Sequence, residues 1–163
     1  MLGEPVVVER SAEPYVAIRE LVTMETLGTV LPGLHPVVRS WLQERGEEPA
    51  GDPFFKYNVI DMERQLEVEV GWPVDAQMAG EGGVLAAVLP AGRYATVLHT
   101  GHPEGLFDAT RALLEWADKE GRQWDVVETA DGDRWGARLE FYRSDGPDMN
   151  TWETELAFRL AGD

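Results

Sequence analysis

The chain has no cysteine and only three histidines among its 163 residues. Without cysteine there are no disulfide bonds, no thiolate metal site and no cysteine nucleophile. A serine-histidine-aspartate triad has weak support, since no Gly-x-Ser-x-Gly elbow is present. Neither common glycine-rich phosphate-binding loop is present either. His99 and His102 lie across a strand end and a glycine turn with no third ligand evident, so we expect no metal and no cofactor.

Long apolar runs and basic residues are also scarce. No run approaches the roughly 18 apolar residues of a membrane helix, and the start of the chain does not resemble a signal peptide. We therefore expect a cytoplasmic protein with no membrane contact. The 14 basic residues face 30 acidic ones, a formal net charge of −16. Because nucleic-acid affinity comes largely from lysine and arginine, we expect no direct nucleic-acid binding. An acidic surface attracts cationic small molecules, although it also simply aids solubility.

The length and the apolar pattern predict a single domain over residues 1–163 with a core of ordinary size. Alternation and short apolar runs predict strands at 5–9, 15–22, 54–60, 66–70, 84–89, 93–99, 137–143 and 151–160. Helical spacing predicts one helix over 34–42 and another over 106–117, each followed by a terminating glycine. Residues 124–135 show no regular pattern. Glu67 and Glu69 alternate with apolar residues, which predicts that both form a solvated outer face.

The two halves of the chain, about 1–79 and 80–163, repeat the order strand, strand, helix, strand, strand. A glycine-rich linker at 77–83 separates them. Aromatic residues recur at matching places in the two halves: Tyr15 with Tyr94, Trp41 with Trp116, and Tyr57 with Tyr142. This order indicates an internal duplication, with chance alignment of common residue types as the alternative. Two such units predict an α+β fold: one antiparallel sheet, both helices on one face, and a cleft between the helices.

The strand at 137–143 carries the most informative side chain, Glu140. On a strand, Glu140 and Tyr142 project from the same face. The aromatic residues expected to line the cleft with them are Phe55, Tyr57, Trp72 and Tyr94. Each aromatic residue taken singly is explained by core packing. Together they suit a flat or cationic ligand, because ring faces attract cations and a cation would relieve a partly buried carboxylate. The same carboxylate with a raised pKa suits general acid-base catalysis, and the residues alone do not choose between these roles.

Three segments carry a resemblance to a known family: Pro53–Tyr57, His99–Leu106 and Glu140–Pro147, the last followed by Trp152-x-Thr154-Glu155. They resemble the GyrI-like small-molecule-binding domains, and the similarity spans nearly the whole chain. The same fold supplies the effector-binding half of multidrug-responsive transcription regulators. The resemblance implies two β-β-α-β-β units that enclose a ligand cleft. It also implies that Glu140 is the characteristic glutamate of that cleft, with Tyr142 beside it and Tyr57 as its counterpart from the first half.

The resemblance implies binding of hydrophobic, often cationic, drug-like molecules, for sequestration or for sensing. Regulators of this kind carry a DNA-binding segment ahead of the domain. Here the fold is expected to begin within the first ten or so residues, as in a stand-alone form. Some stand-alone members resemble hydrolases that open cyclopropane rings of DNA-alkylating toxins, in which case Glu140 would be the catalytic carboxylate. A third alternative is a gyrase-inhibitor-like protein partner. Binding is favoured over catalysis because only one plausible catalytic carboxylate is visible, and nothing in the sequence indicates the oligomeric state.

Overall fold

Ten strands form one curled antiparallel sheet in the computed structural model, which describes residues 1–144 and 146–162. The strands are β1 Val6–Arg10, β2 Glu13–Val22, β3 Phe54–Ile60, β4 Leu66–Pro73, β5 Leu85–Leu89, β6 Gly92–Thr100, β7 Val126–Thr129, β8 Gly132–Trp135, β9 Arg138–Tyr142 and β10 Glu153–Arg159. The α-helices are the single turn α1 Leu27–Val30, then α2 Leu34–Glu44 and α3 Leu106–Lys119. The predicted α+β class is confirmed. Within the described residues, no helix is long and apolar enough to cross a membrane.

The order of the strands shows how the two halves of the chain combine. The main path runs β1-β6-β10-β9-β3-β4-β2-β5, and the β7–β8 hairpin joins it through β3. The halves meet at the centre, where β3 pairs with β9. At the two ends, β1 from the first half pairs with β6, and β5 from the second half pairs with β2. Each half therefore supplies an edge strand to the other. The duplication itself stays a prediction.

Both long helices lie on the same face of the sheet, as predicted, and we call this the helix face. The apolar stripe of α2, with Val38 and Leu42, packs on Val16 of β2. The stripe of α3, with Leu113 at its centre, packs on Val97 of β6. Fully burying a leucine or valine side chain contributes roughly 1.5–3 kcal/mol, so these stripes fix the helices on the sheet. The middle of the helix face, between the two stripes, is occupied by the side chains of β3 and β9.

The opposite face, which we call the inner face, lies inside the curl. Its cluster joins residues from both ends of the strand order, among them Tyr15, Leu89 and Tyr94. Phe54 packs edge-on against Tyr15 at 5.3 Å and against Phe141 at 5.7 Å between ring centroids. Since no helix among the described residues covers this face, the curl of the sheet itself shields it from water.

Glu69 corrects one prediction, because it is buried and not solvated. It points to the inner face, is 6% exposed, and accepts a hydrogen bond from the Tyr15 hydroxyl. Its second oxygen accepts from Asn58 Nδ2 at 2.5 Å and lies 3.9 Å from Lys56 Nζ. Glu67 of the same predicted pair remains partly exposed. Alternation separates the two faces of a strand, but it does not show that a curl takes the polar face out of water.

The stretch at 124–135 is a second correction. It contains the β7–β8 hairpin, in which Gly132 at the start of β8 has φ 129. Trp135 at the end of β8 is only 8% exposed and packs with Trp124 and Phe158. Strands of four residues carry too little alternation to be recognised, and this hairpin forms because β8 pairs with the distant strand β3.

Candidate functional site

Glu140 lies in the middle of β9, where the two halves of the chain meet. Its register partners are Leu156 on β10 and Phe55 on β3. The side chain belongs to the helix face and is partly buried. β9 therefore lies directly beside β3, the strand that carries Phe55 and Tyr57.

Two tyrosines hold one oxygen of the Glu140 carboxylate. The Tyr57 hydroxyl donates to Oε1 at 3.1 Å and the Tyr142 hydroxyl donates to the same atom at 3.0 Å. Tyr142 reaches it because it follows Glu140 by two residues on one strand face, and Tyr57 reaches it from β3. No described residue donates to Oε2. The carboxylate is thus oriented through one oxygen, while the other keeps its capacity to accept.

Burial sets the protonation of this group. It raises the pKa of Glu140, while the hydrogen bonds from Tyr142 and Tyr57 and the charge of Arg138 pull in the other direction. Burial, followed by the charge of Glu140, raises the pKa of both tyrosines well above its ordinary value. Both phenols are therefore hydroxyl donors at neutral pH. A carboxyl with a raised pKa can serve as a cation site when ionised or transfer a proton when it is not.

Aromatic rings continue the site toward α2. The Phe55 ring meets the Tyr142 ring edge-on, with 5.2 Å between centroids. His35, in the first turn of α2, stacks on Phe55 at 4.9 Å and 8° between the ring planes. Trp72 meets His35 at 5.9 Å, and its Nε1 donates to the His35 carbonyl oxygen at 2.9 Å. The rings form one continuous wall beside Glu140.

His35 is a member of this wall that the sequence reasoning missed. Its Nε2 lies 2.9 Å from the Phe54 carbonyl oxygen, so this nitrogen carries the hydrogen and donates. Burial lowers the pKa of His35, which favours the neutral ring. His35 precedes the buried Val38 by three residues on α2, which places both on one face of the helix. This spacing is the one sequence feature that indicated a covered side chain at this position.

Arg138 is the second residue that was missed, and it places a cation near the glutamate. It precedes Glu140 by two residues on β9, on the same face. Its Cζ lies 4.8 Å from the Trp135 ring centroid and 4.7 Å from that of Phe158. Burial lowers the pKa of Arg138, and the charge of Glu140 opposes that shift. The alternation Arg-x-Glu-x-Tyr in β9 is the sequence feature that places Arg138 on the same face as Glu140.

Tyr94 does not join the site. It lies on the inner face of β6, is 1% exposed, and donates its hydroxyl to the Pro90 carbonyl oxygen at 2.7 Å. Burial raises the pKa of Tyr94 to about 12. The structure brings Phe55, Tyr57 and Tyr142 together around Glu140, with Trp72 joined to them through His35. It leaves Tyr94 on the other side of the sheet.

Two buried polar atoms lie next to the site. Thr154 of β10 pairs with Tyr142 on one side and with His99 of β6 on the other. Neither Thr154 Oγ1 nor His99 Nδ1 has a hydrogen-bond partner among the described residues. The His99 ring packs against the start of α3, where a Cβ added to Gly105 would lie 2.7 Å from Nε2. A glycine at that position is what allows the ring to approach the helix.

Other parts of the described chain provide weaker candidates. In residues 1–144 and 146–162, no three histidine, aspartate or glutamate side chains are grouped so as to hold a metal ion. One surface hollow of about 190 Å³ is lined by Arg64, Gln65 and Asp131. Another, of about 240 Å³, lies along β5. Neither hollow contains a carboxylate that is hydrogen-bonded as Glu140 is. The candidate site is therefore assigned to Glu140 and not to either hollow.

Comparison with protein families gives one match over nearly the whole chain. The sequence pattern of the GyrI-like small molecule binding domain matches residues 3–161. No curated protein matches the chain.

Solved structures show the same fold. A cryo-EM structure of an EcmrR–DNA complex is 20% identical, with a TM-score of 0.76 over 98% of this chain and 58% of that one. SAV2435 bound to tetraphenylphosphonium is 11% identical, with a TM-score of 0.69 over 98% of this chain and 94% of that one. A hydrolase from Listeria innocua is 10% identical, with a TM-score of 0.64 over 97% and 92%. The chain thus spans little more than half of the EcmrR chain.

Proposed function

Because the chain belongs to the GyrI-like small molecule binding domain family, we propose that it binds hydrophobic, cationic, drug-like molecules beside Glu140. The observation that carries the proposal is the free Oε2 of a partly buried carboxylate next to a wall of aromatic rings. An ionised carboxylate in such a place is costly, and a bound cation relieves that cost.

The rings and the net charge add to this attraction. Each ring face contributes about 0.5–2 kcal/mol to the binding of a cation that lies over it. The ring of Tyr142, which is partly exposed, offers apolar contact area to the rest of a hydrophobic ligand. The formal charge of −16 raises the local concentration of cations around the whole molecule.

The biological role that fits best is sequestration or sensing of such molecules in the cytoplasm. EcmrR binds DNA as a longer chain, of which this fold covers 58%. The acidic excess of the present chain supports a ligand-binding part that makes no direct contact with nucleic acid. The third alternative, a gyrase-inhibitor-like protein partner, stays a prediction.

Isothermal titration calorimetry with tetraphenylphosphonium tests the proposal. The wild-type chain is expected to bind the cation saturably. Glu140→Gln is expected to weaken binding by one to two orders of magnitude, since a charge about 6 Å away is worth roughly 2–3 kcal/mol at an effective dielectric constant of about 20. Glu153→Gln is the matched control, because it removes the same charge from an exposed position. Equal affinity of Glu140→Gln and wild type would show that the cation binds elsewhere.

Hydrolysis of a cyclopropane ring is a second candidate, favoured by the raised pKa of Glu140 and its two phenol donors. Water would add across one ring bond, with hydroxide going to one carbon and a proton to the other. Glu140 would take the proton from the attacking water and then deliver it to the carbon at the other end of the broken ring bond, while a tyrosine hydroxyl would donate a hydrogen bond on that side. Incubation with a cyclopropane-bearing alkylator in excess over the protein separates the two functions. Many turnovers per molecule support an enzyme, whereas protection that stops at one equivalent supports binding alone.

A further inference from the structure

The Arg138 guanidinium has unused hydrogen-bonding capacity beside the proposed ligand site. The guanidinium carbon Cζ lies close to the rings of Trp135 and Phe158, and these cation–ring contacts restrict the position of the group. No oxygen of the described residues accepts a hydrogen bond from it, and no carboxylate lies within 4.0 Å. An arginine presents five N–H donors in a fixed fork, so this group has its full donor set available.

Arg138 and Glu140 form a pair of opposite charges that do not bond to each other. They are two residues apart on β9, which places their backbones about 7 Å apart on the same face. Glu140 Oε2 has acceptor capacity to spare, and Arg138 has donors to spare. The other groups whose charges reach Arg138 are the Tyr57 hydroxyl and the exposed Asp133. The face therefore offers one anionic and one cationic anchor side by side.

We propose that Arg138 determines ligand specificity by binding a carboxylate, so that the preferred ligands are aromatic molecules with a cationic end and an acidic end. The cationic end lies at Glu140 and the acid forms paired hydrogen bonds with the guanidinium edge. This inference rests on the proposed function, whose cation site it extends.

A purely cationic ligand makes poorer use of this face. It gains from Glu140 but must lie close to a second positive charge, since Arg138 is partly buried and screened less than a surface arginine. An acidic group on the ligand turns that repulsion into attraction. The rings of Trp135 and Phe158 restrict the guanidinium, so little side-chain freedom is lost when the carboxylate binds.

A matched pair of dyes tests the inference: a rhodamine with a free carboxylate and its methyl ester, titrated by fluorescence anisotropy. The wild-type chain is expected to bind the acid more tightly than the ester. Arg138→Gln is expected to weaken binding of the acid about tenfold and to leave the ester unchanged or tighter, because one charge-assisted pair is lost. Arg138→Lys keeps the charge but lacks the planar pair of N–H donors, so its affinity for the acid should lie between those of the wild type and of Arg138→Gln. Arg111→Gln is the control, since this exposed arginine also lies over a ring, that of Phe107.

The outcomes separate this inference from the proposed function. Binding of tetraphenylphosphonium and of the ester, with no preference for the acid in the wild type, overturns the role of Arg138 alone. An equal loss for both dyes in Arg138→Gln does the same. No binding of any of the three cations overturns the proposed function as well. Circular dichroism checks folding, and if Arg138→Gln is unfolded, the wild-type preference and Arg138→Lys decide.

Discussion

Glu140→Gln is expected to stabilise the free protein at neutral pH, although it weakens cation binding. The amide oxygen can accept the same two hydrogen bonds that Tyr57 and Tyr142 now donate to Oε1. The amide nitrogen replaces Oε2, which no described residue contacts through a hydrogen bond. The substitution therefore removes a desolvated charge without breaking a bond, and only the attraction to Arg138 is lost.

The raised pKa of Glu140 determines how the stability gained by Glu140→Gln varies with pH. Since burial raises the pKa of Glu140 in the folded state, the folded protein keeps the proton to a higher pH than the unfolded chain. The stability contributed by this group is greatest at low pH and is lost as the pH rises through the raised pKa. Glutamine undergoes no such loss. The advantage of Glu140→Gln should therefore grow as the pH rises from acid to neutral.

We expect a gain of about 1 kcal/mol at neutral pH, the usual size of a stabilising substitution at a functional site, or about 3 °C in Tm. Urea unfolding followed by the fluorescence of the six tryptophans measures it, at neutral pH and at about pH 4. Glu153→Gln should change stability by no more than about 0.5 kcal/mol. If Glu140→Gln is the less stable protein at neutral pH, the carboxylate is already compensated, and relief by an incoming cation is refuted.

Three further predictions concern the same face of the sheet. Tetraphenylphosphonium affinity, measured by calorimetry across a pH series, should fall as the pH drops through the raised pKa of Glu140, at a pH above the ordinary value of 4.5. Tyr57→Phe removes one donor to the carboxylate, costs about 1 kcal/mol of hydrogen bonding and should move that midpoint to higher pH. Gly105→Ala places a Cβ 2.7 Å from His99 Nε2 and should destabilise the protein by about 1–3 kcal/mol in urea unfolding. Gly28→Ala, with no atom within 4 Å, should instead gain about 0.5–1 kcal/mol.

Each of these has a contrary result. A cation affinity that does not vary with pH would mean that Glu140 does not titrate at the binding site. A midpoint that falls in Tyr57→Phe would mean that this hydroxyl does not stabilise the ionised carboxylate. Equal stability of the two glycine variants would show that the His99 ring moves aside freely.

Local features of the sequence were sufficient to predict some of the contacts around Glu140. Glu140 and Tyr142 share a face because the strand period is two, and this requires no knowledge of the rest of the fold. The contact with Phe55 and Tyr57 needed more, namely the duplicated order and the family resemblance, since β3 and β9 are far apart in the chain. The two long helices were predicted because their apolar stripes repeat at the helical period.

The features that the sequence did not predict depend on which face of each strand is covered by the helices. Tyr15 and Tyr94, which the sequence pairs as counterparts in the two halves, both lie on the inner face, away from Glu140. The prediction that Glu69 is solvated was wrong for the same reason, because alternation distinguishes two faces without indicating which of them is covered. His35 and Arg138 could be identified only once α2 and the β7–β8 hairpin were in place.

The exchange of edge strands has a mechanical consequence for how a ligand enters. The connections from β1 to β2 and from β5 to β6 contain two residues each, and each joins the sheet region around β6 to that around β2. Two residues span at most about 7 Å, so neither link has slack. A hinge motion that separated β3 from β9 would pull on both links at once. At the proposed site, ligand exchange is therefore expected to proceed by rotation of side chains and shifts of the helices, so that the residence time of a ligand would depend on how fast the aromatic wall rearranges.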